Sequence, residues 1–175
     1  MKVLVIVDMQ EDFVRGSLAN SAAVNIINPI KERIAAARQN KEMVIFTQDT
    51  HMDDYLDTLE GKKLPIEHCI YGTEGWEIIP EFKDEAALCV LKPTFGSFDL
   101  ISRIETIAKA MNEEVEIELT GVCTDVCVVS NCLILRAAFP NSKITVNGNL
   151  CAGTTKENHD AALITMKNCQ IDVIE

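Results

Sequence analysis

A chain of 175 residues is the size of one ordinary domain with room for a buried core. Hydrophobic residues make up 47% and charged residues 25%, the balance of a folded globule rather than a disordered tail. Set against 27 Asp and Glu, its 16 Lys and Arg leave a formal charge of -11 with no basic run, which excludes nucleic acid as the partner class.

The first element, Lys2–Asp8 (KVLVIVD), is a β-branched run suited to a strand buried on both faces of a parallel sheet. Its apolar part, Val3–Val7, breaks at Asp8 and precedes no small-residue cleavage site, so it does not read as a signal peptide. Ala22–Gln39 repeats apolar residues at helical spacing (Val24, Ile27, Ile30, Ile34, Ala37), with Asn20 or Ser21 as N-cap. Met43–Thr47 is the second strand, Ala87–Leu91 the third, Asp99–Met111 a helix and Val115–Thr120 the fourth strand. Thr124–Ala138 is a helix that is apolar nearly all round. Lys143–Val146, a helix over Lys156–Lys167 and a closing strand Gln170–Ile174 complete the series. The succession predicts a single α/β domain over residues 1–175: three α/β/α layers, a mostly parallel six-stranded sheet and right-handed crossovers. No stretch reaches the roughly 18 apolar residues of a membrane span. Gln48–Lys83 lacks any period, and so long an irregular stretch inside a compact domain is usually functional.

The seven cysteines are an odd count without a secretory signal, which points to free thiols in a reducing, cytoplasmic setting.

Ligands of an open parallel sheet bind at the carboxyl ends of its strands. That rim collects Asp8 after the first strand, Asp49 and His51 after the second, Lys92 after the third and Gly121–Asp125 after the fourth. Cys127 falls in the first turn of the next helix, where unpaired N–H groups favour a thiolate and can hold an oxyanion. Its ordinary alternative is a buried cysteine packing as a small hydrophobe. Asp8, behind five apolar residues, is expected to be partly desolvated and able to act as a base; the alternative is a cap or a solvated rim carboxylate. Lys92 alone reads equally as a surface lysine. Asp49-x-His51 projects both side chains to one side, and His68 in the same segment completes a set suited to zinc, manganese or iron, with Glu60 or Asp57 as a further oxygen donor. His159, among polar residues on a helix, is expected to be exposed. Cys69, Cys89, Cys132, Cys151 and Cys169 default to packing.

Five segments in order carry a resemblance: Val5–Phe13 (VIVDMQEDF), Thr47–His51 (TQDTH), Pro65–Cys69 with Gly72–Gly75, Lys92–Phe98 (KPTFGSF) and Gly121–Val128 (GVCTDVCV). The chain resembles the isochorismatase-like cysteine hydrolases, and among them the nicotinamidases, from Val3 to about Val173. The resemblance implies the isochorismatase-like hydrolase fold and a catalytic triad of Asp8, Lys92 and Cys127. It implies an oxyanion hole from the N–H groups of Cys123 and Cys127, with a cis peptide at Val122–Cys123. It implies metal ligation by Asp49, His51, His68 and Glu60, with zinc the expected ion, and a substrate pocket lined by Phe13 and Phe95. The implied reaction is hydrolysis of nicotinamide to nicotinate and ammonia through a thioester, by a homo-oligomer acting on a small amide. Two rivals stand beside it: a hydrolase of another small amide, such as a carbamoyl compound or a ureide, and a non-catalytic thiol or binding protein on the same scaffold.

Overall fold

The computed structural model of the chain describes every residue except Asp84 and Ala87. Six strands, β1 (Lys2–Val7), β2 (Met43–Asp49), β3 (Cys89–Lys92), β4 (Glu116–Val122), β5 (Ile144–Ala152) and β6 (Asp172–Ile174), form one sheet in the order β3-β2-β1-β4-β5-β6. Every neighbouring pair is parallel. The helices are α1 (Glu11–Val14), α2 (Ser21–Asn25), α3 (Ile27–Gln39), α4 (Leu59–Lys63), α5 (Phe98–Met111), α6 (Val129–Ala138) and α7 (Lys156–Asn168).

The alternation of side chains along β1 divides the core in two. Val3, Val5 and Val7 pack with Leu100 and Ile104 of α5, Cys132 and Leu135 of α6, and Leu163 and Met166 of α7. Leu4 and Ile6 pack on the other face with Phe13, Ala23, Ile27, Ile30 and Ile34 from α1, α2 and α3. Each such fully buried aliphatic side chain contributes about 1.5–3 kcal/mol. The central strand is apolar on both sides because both faces are covered, which is the predicted three-layer arrangement. Among the described residues, no helix is long and apolar enough to cross a membrane.

Several element boundaries differ from expectation for identifiable reasons. The helix expected over Ala22–Gln39 breaks at Ile26, since Pro29 offers no N–H and its ring crowds the carbonyl four residues back, that of Asn25. Asn20, not Ser21, is the cap, its side chain accepting from the Ala22 N–H at 2.9 Å. Thr124–Val128 is a π-helical turn that runs into α6 rather than the first turn of one continuous α-helix. Strands β2, β4 and β5 extend further toward their carboxyl ends than periodicity alone suggests. The third strand ends on Lys92 instead of before it, and Ala87, its expected start, lies outside the described residues.

The aperiodic segment after β2 is held by polar contacts rather than by a core of its own. It contains α4 and the short turns Tyr55–Asp57, Glu74–Trp76 and Pro80–Phe82. The Trp76 carbonyl accepts from the side-chain amides of Gln10 and Gln48, each at 2.8 Å, while the Trp76 indole donates to Thr50 Oγ1 at 2.9 Å.

Candidate active site

Strand numbers rise outward in both directions from the β1–β4 seam, so the loops leaving these two strands diverge and open a crevice at their carboxyl ends. Gly121 makes the seam possible. With φ of +115° it adopts a backbone that side chains disfavour, and a Cβ there would lie 2.2 Å from the Val7 carbonyl oxygen.

Asp8 follows β1, Lys92 ends β3 and Cys127 lies in the turn after β4, and the three meet in this crevice. Lys92 Nζ lies 2.7 Å from Asp8 Oδ2, 3.0 Å from Asp49 Oδ1 and 3.4 Å from Cys127 Sγ. Asp8 and Lys92 are fully buried and Cys127 is 4% exposed. Thr47 donates its hydroxyl to Asp8 Oδ1 at 2.7 Å, fixing the carboxyl. Asp8 Oδ2 has no partner of good hydrogen-bond geometry among the described residues, so it keeps acceptor capacity despite its ion pair. The surface-lysine alternative for Lys92 and the solvated-rim alternative for Asp8 are both overturned.

The charges settle by competition. Burial raises the Asp8 pKa and the Asp49 charge adds to this, against the lowering pull of Lys92. Burial alone would lower the Lys92 pKa, but the Asp8 carboxylate, any negative charge that develops on the Cys127 sulfur, and Asp49 outweigh it and hold the ammonium well above its usual range. Burial would likewise raise Asp49, yet the hydrogen bond from His51 and the Lys92 charge bring it below the ordinary value. Burial pushes the Cys127 thiol well up, Asp8 pushes it further and Lys92 opposes them. The helix terminus that would favour a thiolate is thus opposed: burial and the neighbouring Asp8 carboxylate favour the thiol, and Lys92 pulls the other way.

Asp49, His51 and His68 form the second cluster, with ligand atoms all within 4.8 Å of one another. His51 Nε2 is 3.1 Å from Asp49 Oδ2, and His68 Nε2 is 3.7 Å from the same oxygen. His68 Nδ1 is 2.9 Å from the Ile66 carbonyl, a contact that puts the proton on Nδ1 and leaves Nε2 free to ligate. Glu60 stands farther off, with Oε1 3.6 Å from His51 Nε2 and 3.9 Å from His68 Nε2. Asp57, the alternative oxygen donor, is exposed and outside the cluster. Two imidazoles and a carboxylate, with a second carboxylate in reach, suit a divalent metal of the zinc, manganese or iron type. Tyr55 packs against both rings, tilted to His51 at 4.7 Å and edge-on to His68 at 5.0 Å, and its hydroxyl donates to the Leu64 carbonyl.

Both clusters open into one cavity of about 810 Å³, whose wall includes Phe13, Asp49, His68, Phe95, Cys123 and Cys127. Phe13 is nearly buried and meets His68 edge-on, whereas Phe95 is 44% exposed at the mouth. The Val122–Cys123 peptide is cis. The Cys123 carbonyl accepts from the N–H groups of Val126 and Val128, each at 3.1 Å, and passes over that of Cys127 between them.

Three residues of this region draw no role from the sequence. Gln10 clamps the Asp49 backbone, accepting from its N–H at 2.7 Å and donating to its carbonyl at 2.9 Å. Asn131, fully buried on α6, donates to the carbonyls of Cys127 and Phe95 and accepts from the Ser97 N–H. His159, expected to be exposed, is half-buried with Nδ1 2.8 Å from Thr124 Oγ1. The available signals were the place of Gln10 within the Val5–Phe13 segment and that of Asn131 in a mostly apolar helix four positions after Cys127. Among the remaining cysteines, Cys69, Cys132 and Cys151 are buried as expected of packers, Cys89 is half-buried and Cys169 is exposed.

A family model, the isochorismatase domain, matches residues 2–175. A nicotinamidase/pyrazinamidase of Mycobacterium tuberculosis is 26% identical over 187 residues, covering 99% of this chain and 98% of its own. The crystal structure of a nicotinamidase from Bacillus subtilis superposes with a TM-score of 0.84 at 27% identity, covering 99% of each chain. A pyrazinamidase of Pyrococcus horikoshii, solved in complex with zinc, shares the fold at 22% identity and a TM-score of 0.82, over 99% of this chain and 98% of its own.

Proposed function

The chain belongs to the isochorismatase-domain family and is a hydrolase of the amide-cleaving kind, and on that premise we propose that it converts nicotinamide to nicotinate and ammonia through a thioester on Cys127. The observation that carries this reading is the convergence of Asp8, Cys127 and Asp49 on Lys92 Nζ, beside an Asp–His–His cluster in the same cavity. The nicotinamidase names of the relatives support the choice of amide.

Asp49, His51 and His68, with Glu60, would hold one divalent metal, zinc in this reading. Bound there, it would supply a Lewis acid for the ring nitrogen of the substrate. The ring lies between Phe13 and Phe95, with its carboxamide toward Cys127. The Cys127 sulfur attacks the amide carbon while the thiol proton passes to Asp8 Oδ2, the oxygen that retains acceptor capacity. Lys92 remains protonated throughout and balances the carboxylate and the developing thiolate. The N–H groups of Cys123 and Cys127 donate to the oxyanion. Asp8 returns its proton to the leaving nitrogen and ammonia departs. Asp8 then takes a proton from water as its oxygen adds to the thioester carbon; the carbon–sulfur bond breaks, Asp8 returns that proton to the Cys127 sulfur, and the acid leaves and ionises to the carboxylate. Burial that favours the thiol suits this sequence, because the base then acts as the carbon–sulfur bond forms.

The test is ammonia release from a panel of nicotinamide, pyrazinamide, carbamoyl compounds and ureides, with metal content measured on the same preparation. Turnover of nicotinamide above the rest, with metal bound and lost on His51→Ala, is the expected result. Turnover of another amide in its place would replace the substrate, and unimpaired function of Cys127→Ser would overturn the reaction.

A further inference from the structure

The turn that carries the nucleophile has two polar side chains besides the cysteine, Thr124 and Asp125, and both are held from the segment that opens α7. Thr124 is fully buried, and His159 Nδ1 stands 2.8 Å from its hydroxyl. Asp125 accepts from the Thr154 N–H at 2.8 Å and from the Thr154 hydroxyl at 2.5 Å, and Asn158 donates to that hydroxyl at 2.9 Å. Gly153 lets the two segments touch: a Cβ there would lie 2.7 Å from His159 Cβ and 2.9 Å from Asp125 Oδ1. The segment 153–159 thus grips a turn whose own ladder is the looser π type, and the Thr124 contact is the buried end of the grip.

We propose that His159 is a positioning residue for the hydrolysis: through Thr124 it fixes the turn that places the Cys127 sulfur and the N–H groups of Cys123 and Cys127. The imidazole touches neither substrate nor reacting atoms. Without it, Thr124 keeps a buried hydroxyl with no partner, and the turn can roll about its π-type bonds. In this reading ground-state binding draws chiefly on the metal cluster and the two phenylalanines, on other elements, although Cys123 and Cys127 also line the cavity, so the loss falls mainly on kcat. Asparagine can present Oδ1 or Nδ2 where Nδ1 now stands, so it preserves the contact that leucine removes.

The inference rests on the reading of Cys127 as the nucleophile, and its test separates the two. Turnover of nicotinamide and the rate of Cys127 alkylation by iodoacetamide, read by mass spectrometry, are measured for the wild type, His159→Leu, His159→Asn and Thr124→Val. His159→Leu should lower kcat about 10- to 100-fold with KM little changed, the scale of a small misplacement of reacting groups. It should change the alkylation rate, His159→Asn should restore most of both, and Thr124→Val with His159→Leu should be no worse than either alone. Wild-type inactivity toward nicotinamide would remove the substrate reading while leaving the alkylation comparison to decide the role of His159. Alkylation and turnover of His159→Leu equal to wild type, equal impairment of the leucine and asparagine variants, or additive losses in the double variant would each overturn the proposal.

Discussion

Replacing Lys92 by methionine tests both the electrostatics of the site and its chemistry. Methionine keeps most of the length and apolar stem of the side chain, so the change deletes a charge more than a shape. Lys92 is fully buried with carboxylate oxygens at 2.7 and 3.0 Å, and those carboxylates, Asp8 and Asp49, are themselves buried. Removing the cation leaves two buried acids without their counter-charge, a loss of about 3–5 kcal/mol by comparison with other broken buried pairs. For a domain of this size that is a Tm lower by roughly 6–20 °C. The pH dependence has a definite sign. Lys92 lowers the pKa of both acids, so without it both rise, Asp8 from a value already raised by burial. An acid with a folded-state pKa above its unfolded value binds more protons folded than unfolded, and stability then falls as pH rises. Calorimetry should therefore find the deficit of Lys92→Met smaller at about pH 5 than at about pH 8. Amide turnover should be lost at both. A Tm within about 2 °C of wild type, or a deficit larger in acid, would refute the picture of Lys92 as the shared counter-ion.

Further outcomes follow from the same geometry. Cys127→Ser should abolish turnover while shifting the unfolding free energy by only about 1 kcal/mol, measured by denaturant titration, because the two atoms fill similar space. Alkylation of resting Cys127 should accelerate as pH rises beyond the usual thiol range, since burial and then Asp8 hold the proton on sulfur; a rate already at its plateau near neutrality would contradict this. His68→Ala should remove bound metal, read by elemental analysis, whereas Glu60→Gln should retain it with weaker affinity, given the longer Glu60 distances. Asn131→Ala removes the side-chain partner of the Ser97 N–H and of the Phe95 and Cys127 carbonyls and should cost about 1–3 kcal/mol in denaturant unfolding, with a fall in kcat.

Much of this protein is legible along the chain because two kinds of information are local. Period and run length identify a strand: Val3–Val7 can be buried on both faces only in a covered parallel sheet, and the structure covers it with α1–α3 on one side and α5–α7 on the other. Strand ends then bring Asp8, Asp49 and Lys92 toward one rim without knowledge of any contact. Where local rules misjudged a boundary, a specific competitor prevailed, as at Pro29, which breaks the helix before α3. What no local rule supplies is the energy of a group inside its surroundings. Cys127 sits where a terminus should favour a thiolate, yet burial and the Asp8 charge favour the thiol against the pull of Lys92, and that balance depends on three strands meeting. His159 reads as solvated because its sequence neighbours are polar, and it is half-buried because Gly153 admits it beside a turn some thirty residues earlier. The sequence by itself determined which residue types stand at the strand ends. Only the tertiary structure decided their charges, their partners and the brace behind them, since Coulomb and desolvation terms depend on distances through space rather than along the chain.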